Sequence, residues 1–296
     1  MPKQSKKKSK SSSQTTSEKA SEPAKPKELP ASLKEHEESE TSIKRKVKKL
    51  ANYLKEAKHV VIYTGAGIST SAQLSDYRGP KGVWTAMEYG VEEYEGVEIE
   101  QAVPTYCHYA ITHLVKKDYV KYVVSTNVDG LHRRSGLPRD KLAELHGNCY
   151  VEYCNKCEKE YLRGFDVSKN EKDWTKHFTG RKCECGGRLK DNIIHFDEDL
   201  PEKDFDQAMD HSKKGDFALV LGTSMKVTPS CEFPLEVLDN KGMMCIVNLQ
   251  KTEYDRLATV RIFGKTDLFM QLLMKELEEE ENVDTSFDAL QVINID

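Results

Sequence analysis

The chain has 296 residues, of which 38% are hydrophobic and 32% charged, with a formal net charge of −4. That length can bury one sizeable core, or one core with a smaller satellite, and no apolar run approaches the ~18 residues of a membrane span. The first twenty residues lack the apolar stretch of a secretory signal. Eight cysteines without secretory features read as thiols and metal ligands in a reducing compartment, not as disulfides.

In chain order, Lys3, Lys6, Lys7, Lys8 and Lys10 open a Ser/Lys-rich tail that continues with Pro23, Pro26 and Pro30 over residues 1–41. It cannot bury enough apolar surface to offset its ordering entropy, so disorder is expected. Its lysines suit a solubilising tail, or a nuclear-import signal or nucleic-acid tether. From Ser42, a candidate cap, Val47, Leu50, Ala51, Leu54 and Ala57 repeat at helical spacing. Short continuous apolar runs follow at Val60–Tyr63, Tyr122–Val124, Phe217–Leu221 and Met243–Leu249. They read as strands buried on both faces, as in a parallel sheet covered by helices. Helical stretches around 105–117 and 204–213 fall between them. This alternation predicts a doubly wound, Rossmann-like α/β domain with its ligand crevice at the carboxyl ends of the strands. A last helix is expected from near Thr266 and Asp267 with Leu268, Leu272 and Leu273 inward. The glutamates from Glu276 to Glu281 lead into an acidic tail, 278–296, read as a solvated end. Residues 149–190 break the pattern: few long apolar runs, Cys154, Cys157, Cys183 and Cys185, and a Gly186-Gly187 turn. A stretch so poor in core formers needs a staple, and is read as a small inserted zinc module.

The polar motifs follow the strand ends. Gly65 and Gly67 leave room for backbone N–H groups to approach a phosphate. The full G-x-G-x-x-G is absent, since Ser71 stands near the third glycine's place and no acid ~20 residues on ends a second strand. An oxidoreductase is therefore disfavoured. Asn127 and Asp129 follow the second strand as polar candidates or as Asx-turn residues. His146, between Leu145 and Gly147, carries a ring that can titrate near neutral pH. Gly222-Thr-Ser224 and Asn248-Leu-Gln250 follow further strands, and amide side chains suit an adenine edge or ribose hydroxyls. Cys154-x-x-Cys157 and, 25 residues on, Cys183-x-Cys185 can close a tetrahedral zinc site with no open position.

In this order, Gly65–Ser69, Ser125–His132, Glu144–Asn148 and the cysteine set resemble the sirtuins, NAD-dependent protein-lysine deacylases. Asp76-Tyr-Arg-Gly-Pro-Lys-Gly-Val-Trp-Thr85 resembles their class IV branch, most like the mammalian sirtuin-seven type. The likeness covers roughly residues 42–277 and implies a catalytic domain there, with the zinc module at about 149–190 and a helical and loop segment for the cofactor. It implies NAD as a consumed co-substrate and one structural zinc on Cys154, Cys157, Cys183 and Cys185. By resemblance Gly65, Ala66, Gly67, Ser69 and Thr70 form the first NAD segment, Asp76, Tyr77 and Arg78 the cofactor loop, and Trp84 a class IV contact. Gly222, Thr223, Ser224, Asn248, Leu249 and Gln250 fall on the adenosine side. Thr266 aligns with an adenine neighbour and reads equally as a helix cap; Tyr77 and Trp84 read alternatively as core packing.

The resemblance further makes His146 the general base for a ribose hydroxyl, Asn127 a partner of ribose or an ordered water, and Asp129 the acceptor of the nicotinamide carboxamide. The implied products are nicotinamide, free lysine and O-acyl-ADP-ribose. The chain departs from the family in four places. Thr126 replaces Gln, which implies weaker NAD binding. Leu74-Ser75 replaces Ile-Pro, which removes a fixed φ. Asp197 replaces glycine in the peptide segment Phe196–Pro201, where a substrate would add as a strand and basic peptides such as histone tails would be favoured. The C-x-C spacing makes Cys149 and His177 substitutes to examine as the fourth ligand. No Tyr-x-x-Arg follows Trp84, so acidic acyl groups are not expected. The expected function is deacylation, most simply deacetylation, of chromatin or nuclear proteins in the nucleus, with no membrane partner. The rivals are a mono-ADP-ribosyltransferase and a catalytically weak chromatin scaffold.

Overall fold

The structure is a computed structural model that describes residues 28–92, 94–169 and 174–289. The lysine cluster at Lys3–Lys10 and the end of the acidic tail, 290–296, lie outside the described residues.

Helix α1 (Glu40–Glu56) buries Ile43, Val47, Leu50, Ala51 and Leu54 along one face, as the spacing predicts. Its cap is Ser39, not Ser42: Ser39 is extended and its Oγ accepts from Ser42 N, so the helix starts nearly a turn earlier, with Glu40 beside its positive end. Packing reaches N-terminal of residue 42. Leu33 is buried, Glu35 bridges Gln250, His36 N donates to Leu249 O, and Glu38 N donates to Phe263 O.

Strand β1 (Val60–Thr64) is buried at every position. After α2 (Val83–Tyr89) and α3 (Tyr106–Lys116) come β2 (Val120–Ser125), α4 (Leu131–Arg134) and β3 (Leu142–Glu144). The excursion then supplies β4 (Val151–Cys154), β5 (Glu160–Leu162), β6 (Phe178–Lys182) and β7 (Arg188–Asp191). The chain returns through α5 (Glu202–Lys214), β8 (Phe217–Leu221), α6 (Phe233–Asp239), β9 (Met243–Val247), β10 (Val260–Ile262) and α7 (Thr266–Glu276).

The main sheet runs β10-β9-β8-β1-β2-β3, and every pairing in it is parallel. Because side chains alternate along a strand, Val60 and Ile62 join the layer of α1, α3 and α7, while Val61 and Tyr63 join that of α5 and α6. Helix α7 buries Phe269, Met270, Leu273 and Met274. Leu268 and Leu272, expected inward, are only half-buried at the edge of that core, because the inward face falls one position later. The segment after α7 folds back: Glu279 bonds His113, and Asp288 meets Arg134 at 2.7 Å.

The four small strands form an antiparallel sheet ordered β5-β4-β7-β6. Among the described residues its apolar centre is Leu189, Tyr161 and the sulfurs of Cys154 and Cys183, too little to hold a layer together without a crosslink.

Candidate active site

Strands β1 and β8 are neighbours, and the sheet order reverses between them, so the carboxyl ends of these two strands open a crevice. The loops that follow them are pressed together. Gly67 N donates to Gly222 O at 2.8 Å; a Cβ on Gly65 would sit 2.6 Å from Thr223 Cβ, and one on Gly67 would sit 2.8 Å from Gly222 Cα. The glycine pair therefore first allows backbone to close on backbone, and Gly222, at φ +59°, takes a conformation that favours glycine.

Above these loops lies a cleft of about 1290 Å³. It gathers Gly65, Ala66, Gly67, Asp76, Tyr77, Arg78, Trp84, Thr126, Asn127, His146, Gly222, Thr223, Ser224, Asn248 and Gln250, all expected from the sequence. Ser69, Thr70, Asp129, Leu249 and Thr266 are not among its lining residues. Ser69 and Asp129 lie buried behind it, joined by a 2.6 Å bond from Ser69 Oγ to Asp129 Oδ2, while Leu131 N donates to Asp129 Oδ1 as an Asx turn. Burial raises the Asp129 carboxyl above its ordinary value, and the bonds from Ser69 and Leu131 oppose that. Thr70 Oγ1 turns back to Gly67 O, and Leu249 contributes its carbonyl to His36. Thr266 is the first residue of α7, not its cap; that position is Lys265, and the Thr266 hydroxyl points to Gly67 O at 3.5 Å.

Asn127 donates from Nδ2 to Gly65 O at 3.1 Å, and its buried Oδ1 has no partner among the described residues. A buried acceptor left open calls for a ligand group or water. Thr126 Oγ1 bonds Thr64 O, so its short hydroxyl is spent on the end of β1. In the cofactor loop Asp76 Oδ1 accepts from Gly79 N, and its carboxyl, raised by burial, sits where any side chain at Gly79 or Gly82 would collide. Asp76 thus shapes the loop from inside. Where the family's proline is missing, Ser75 Oγ donates to Tyr94 O at 2.6 Å, a tether in place of a fixed φ. Tyr77 stacks at 6.3 Å on Trp84, which meets Phe196 edge-on at 5.6 Å. Their exposures of 40%, 38% and 65% leave this aromatic row open to the cleft instead of in the core.

His146 follows β3 and is held by Gly147, whose missing side chain leaves room for Asn192 O. Its Nε2 lies 3.3 Å from Ser230 Oγ. Burial pushes its pKa below the ordinary histidine value, opposed by a ring bond to the backbone of Thr126. The imidazole is therefore neutral at pH 7. Two residues earlier, buried Glu144 is pushed up to about 7 by desolvation, against the pull of Arg133 and Arg139; Asn148 Nδ2 bonds its Oε1 at 2.6 Å. Asp197 sits at φ +69°, a left-handed position that Asp tolerates, at the place where the resemblance expects glycine.

The sequence reading missed two residues. Ser230, buried on the loop after β8, carries no motif. Arg261 bonds the carbonyls of Ile246, Asn248, Gln250 and Ile262 and the Asp255 carboxylate, and so frames the loop that presents Asn248 to the cleft. A lone arginine inside Val260-Arg-Ile262 is the signal available for it. Gln250 Nε2 is also occupied, by Leu33 O and Arg78 O.

In the small sheet the sulfurs of Cys154, Cys157, Cys183 and Cys185 all lie within 4.8 Å of one another, with Cys154–Cys185 and Cys157–Cys185 at 3.4 Å and Cys157–Cys183 at 3.6 Å. A tetrahedron with zinc–sulfur bonds of ~2.3 Å has edges of about 3.8 Å, so the donor set fits zinc. The C-x-C spacing is accommodated by Gly186 at φ +79° and by Gly187, where a Cβ would fall 2.4 Å from Cys154 Sγ. Cys149 is buried outside this cluster. His177 is bonded to Asp191 and Glu198, each at 2.9 Å. Among the described residues no helix is long and apolar enough to cross a membrane.

A family model described as Sir2 family matches residues 91–229. The NAD-dependent protein deacetylase SRT1 of Arabidopsis thaliana is 42% identical over 252 residues, 84% of this chain and 52% of that protein. The NAD-dependent protein deacetylase sirtuin-7 of Bos taurus is 44% identical over 244 residues, 79% of this chain and 60% of that protein. A solved structure described as Sir2-p53 peptide-NAD+ superimposes with a TM-score of 0.63 at 32% identity, covering 78% of this chain and 98% of that one. The chain spans about half the length of the first curated relatives it matches.

Proposed function

We propose, from the premise that this chain belongs to the Sir2 family, that it is an NAD-dependent protein-lysine deacylase, most simply a deacetylase. The observation that carries this reading is a neutral, half-buried His146 in the same cleft as the glycine loop and the open Oδ1 of Asn127. NAD, when bound, supplies the ribose carbon from which nicotinamide departs and to which the acyl oxygen bonds.

Each residue has a task that follows from its position. The loops at Gly65–Gly67 and Gly222–Ser224 offer backbone donors to phosphates, and Arg78 offers a guanidinium suited to phosphate or ribose oxygens. Asn248 serves the adenosine end, on a loop framed by Arg261. Tyr77, Trp84 and Phe196 cover the reacting end and exclude water. Asn127 Oδ1 takes a ribose hydroxyl or an ordered water, and His146 Nε2 accepts the hydroxyl proton. Asp129 acts from behind the wall, where both its oxygens are engaged, Oδ2 by Ser69 and Oδ1 by Leu131 N, so it would meet a carboxamide only by sharing one of those acceptors. One zinc on Cys154, Cys157, Cys183 and Cys185 would be structural, since four thiolates leave no open position.

Among the solved relatives, one Sir2 holds a p53 peptide with NAD+ and another an acetylated peptide. For this chain, acylated lysine in a basic context is supported by exposed Asp197, Asp199 and Glu202 along the cleft. Nuclear residence, chromatin substrates such as histone tails, and nucleic-acid contact through the lysine-rich tail belong to this same proposal. The test is incubation with NAD and an acetylated histone peptide, with and without nucleic acid, reading nicotinamide and peptide mass for wild type and His146→Ala. Deacetylation matched by nicotinamide in the wild type, with the deacetylation lost in the variant, is the expected result. A mass gain of one ADP-ribose would move the reading to a transferase, and no turnover under any condition to a scaffold.

A further inference from the structure

We propose that His177 is a positioning residue for the peptide segment: as an imidazolium it clamps Glu198 and so sets the turn that offers Phe196 and Asp197 to an acylated peptide, an inference that rests on the deacylase reading for its substrate but not for its geometry. His177 stands one residue before β6, at φ +57°, outside both the cleft lining and the four-sulfur cluster. Its two ring nitrogens face two carboxylates. Nδ1 lies 2.9 Å from Asp191 Oδ1, and Nε2 lies 2.9 Å from Glu198 Oε1. An ionised carboxylate only accepts, so both nitrogens must carry a proton. Backbone donors hold both carboxylates in the ionised form: Asp191 Oδ1 also accepts from Ile193 N at 3.1 Å, and Glu198 Oε2 from His195 N at 2.7 Å. The ring is therefore a cation between two anions. Burial works against that charge, and the bonds to Asp191 and Glu198 outweigh it, so the pKa lies above the ordinary histidine value. The other titratable groups around it are His195, stacked on the ring at 5.0 Å, and the Tyr153 phenol, whose pKa is raised by burial and by the same two carboxylates. Lys176 precedes it in the chain, and Lys190 of β7 lies over the Phe178 ring at 5.2 Å.

Glu198 carries this clamp into the cleft. Its carboxylate takes His195 N, and its own N donates to His195 O at 3.3 Å, so one residue closes the turn from both directions. Phe196 and Asp197 form the tip between these bonds, and both line the cleft. The same segment is tied at its start to the catalytic loop, where Ile194 N donates to His146 O at 3.1 Å, a bond that does not pass through His177. A neutral imidazole has one proton for two acceptors. Asp191 is buried and also donates its N to His177 O at 2.8 Å, so the proton stays on Nδ1, and a bare Nε2 is left facing Glu198 Oε1. Two acceptors in contact repel, Glu198 is released, and the tip loosens while His146 keeps its place. The clamp is thus whole below the raised pKa of His177 and is lost as pH rises through it, and the hold on the peptide weakens with it.

The experiment uses the full chain labelled with nitrogen-15, with His177→Gln, which cannot titrate, and His177→Arg, which stays cationic. Without NAD or peptide, the wild-type His177 ring, identified by its absence from the variants, should carry protons on both nitrogens at pH 6.5 and lose one at a midpoint above that. The amide signals of His195 and Glu198 should move at the same midpoint, and should not in His177→Gln. Across that midpoint the Kd of the wild type for an acetylated histone peptide should rise about tenfold, the effect of one lost hydrogen bond to a charged group. His177→Gln should bind weakly at both ends of the range and His177→Arg tightly at both. With NAD and saturating peptide, single-turnover deacylation by His177→Gln should match the wild type, so that the loss sits in KM and not in kcat. A His177 ring that is neutral at pH 6.5 overturns the proposal, as do amides that ignore its midpoint or a pH dependence of Kd that persists in His177→Gln. If the wild type binds the peptide but releases no nicotinamide, the deacylase reading fails, and the ring and amide titrations still decide the role of His177.

Discussion

Ser69 Oγ donates to Asp129 Oδ2 across 2.6 Å of buried space. Ser69 belongs to the turn after β1 and Asp129 to the turn after β2, so one bond locks two strand-end loops that together form the back wall of the cleft. Asn127 Nδ2 lies 3.5 Å from the same hydroxyl, which places the open Asn127 Oδ1 under the control of a pair that is itself outside the cleft lining.

Removing the Ser69 hydroxyl leaves the Asp129 carboxylate with its bond from Leu131 N alone. Burial already raises this carboxyl, so its ionisation in the folded chain costs stability, a cost absent below the ordinary carboxylate pKa and fully present above the raised one. The Ser69 bond offsets that cost only for the charged form. Ser69→Ala should therefore lose about 2 kcal/mol at pH 8 and less at pH 5, measured by urea unfolding. Equal losses at both pH values would contradict this account.

The sheet was legible because Val60–Tyr63, Phe217–Leu221 and Met243–Val247 are continuous apolar runs, and burial on both faces is what a parallel sheet requires. The cleft lining was legible because polar motifs at the carboxyl ends of such strands have a fixed destination. Three things were not. Ser39 replaced Ser42 as the cap because two serines three apart are equivalent to a spacing argument, and only backbone geometry separates them. Arg261 acts through three carbonyls on β9 and the loop after it besides that of its neighbour Ile262, and Ser230 through one distant imidazole, contacts that leave no local pattern.

The four sulfurs predict which substitutions release zinc. Cys185→Ser should lose the metal and unfold the small sheet, since zinc binding in such modules supplies on the order of 10 kcal/mol. Cys149→Ser and His177→Gln should keep one zinc per chain. Gly187→Ala changes no ligand, yet its Cβ would fall 2.4 Å from Cys154 Sγ, so its zinc affinity should fall as well. Metal content by mass spectrometry together with chelator competition distinguishes these cases.

The acidic C-terminal segment is more than a solvated end where it meets α4. Arg134 Nε and Nη2 donate to the two oxygens of Asp288 at 3.2 and 2.7 Å, and its buried Nη1 has no partner among the described residues. Asp288→Ala should cost roughly 3 kcal/mol because it strands a buried guanidinium. Arg134→Met combined with Asp288→Ala should recover part of that loss. Thermal melts across the double-mutant cycle would show a coupling; strictly additive losses would mean that the pair is not a unit.

The imidazole of His146 sets the pH at which the proposed chemistry begins. Desolvation lowers its pKa below the ordinary histidine value, and the bond to the Thr126 backbone opposes but does not reverse that. A base works only when unprotonated, so the acid limb of single-turnover deacylation should have its midpoint below pH 6.5, with a plateau through neutrality. His146→Ala should lower the plateau about 10²- to 10⁴-fold, the range for loss of a general base, and abolish that limb while nicotinamide release persists. A wild-type limb centred above pH 6.5 would mean that a partner absent from the unliganded cleft, such as a carboxylate brought by the substrate, holds the proton on the ring.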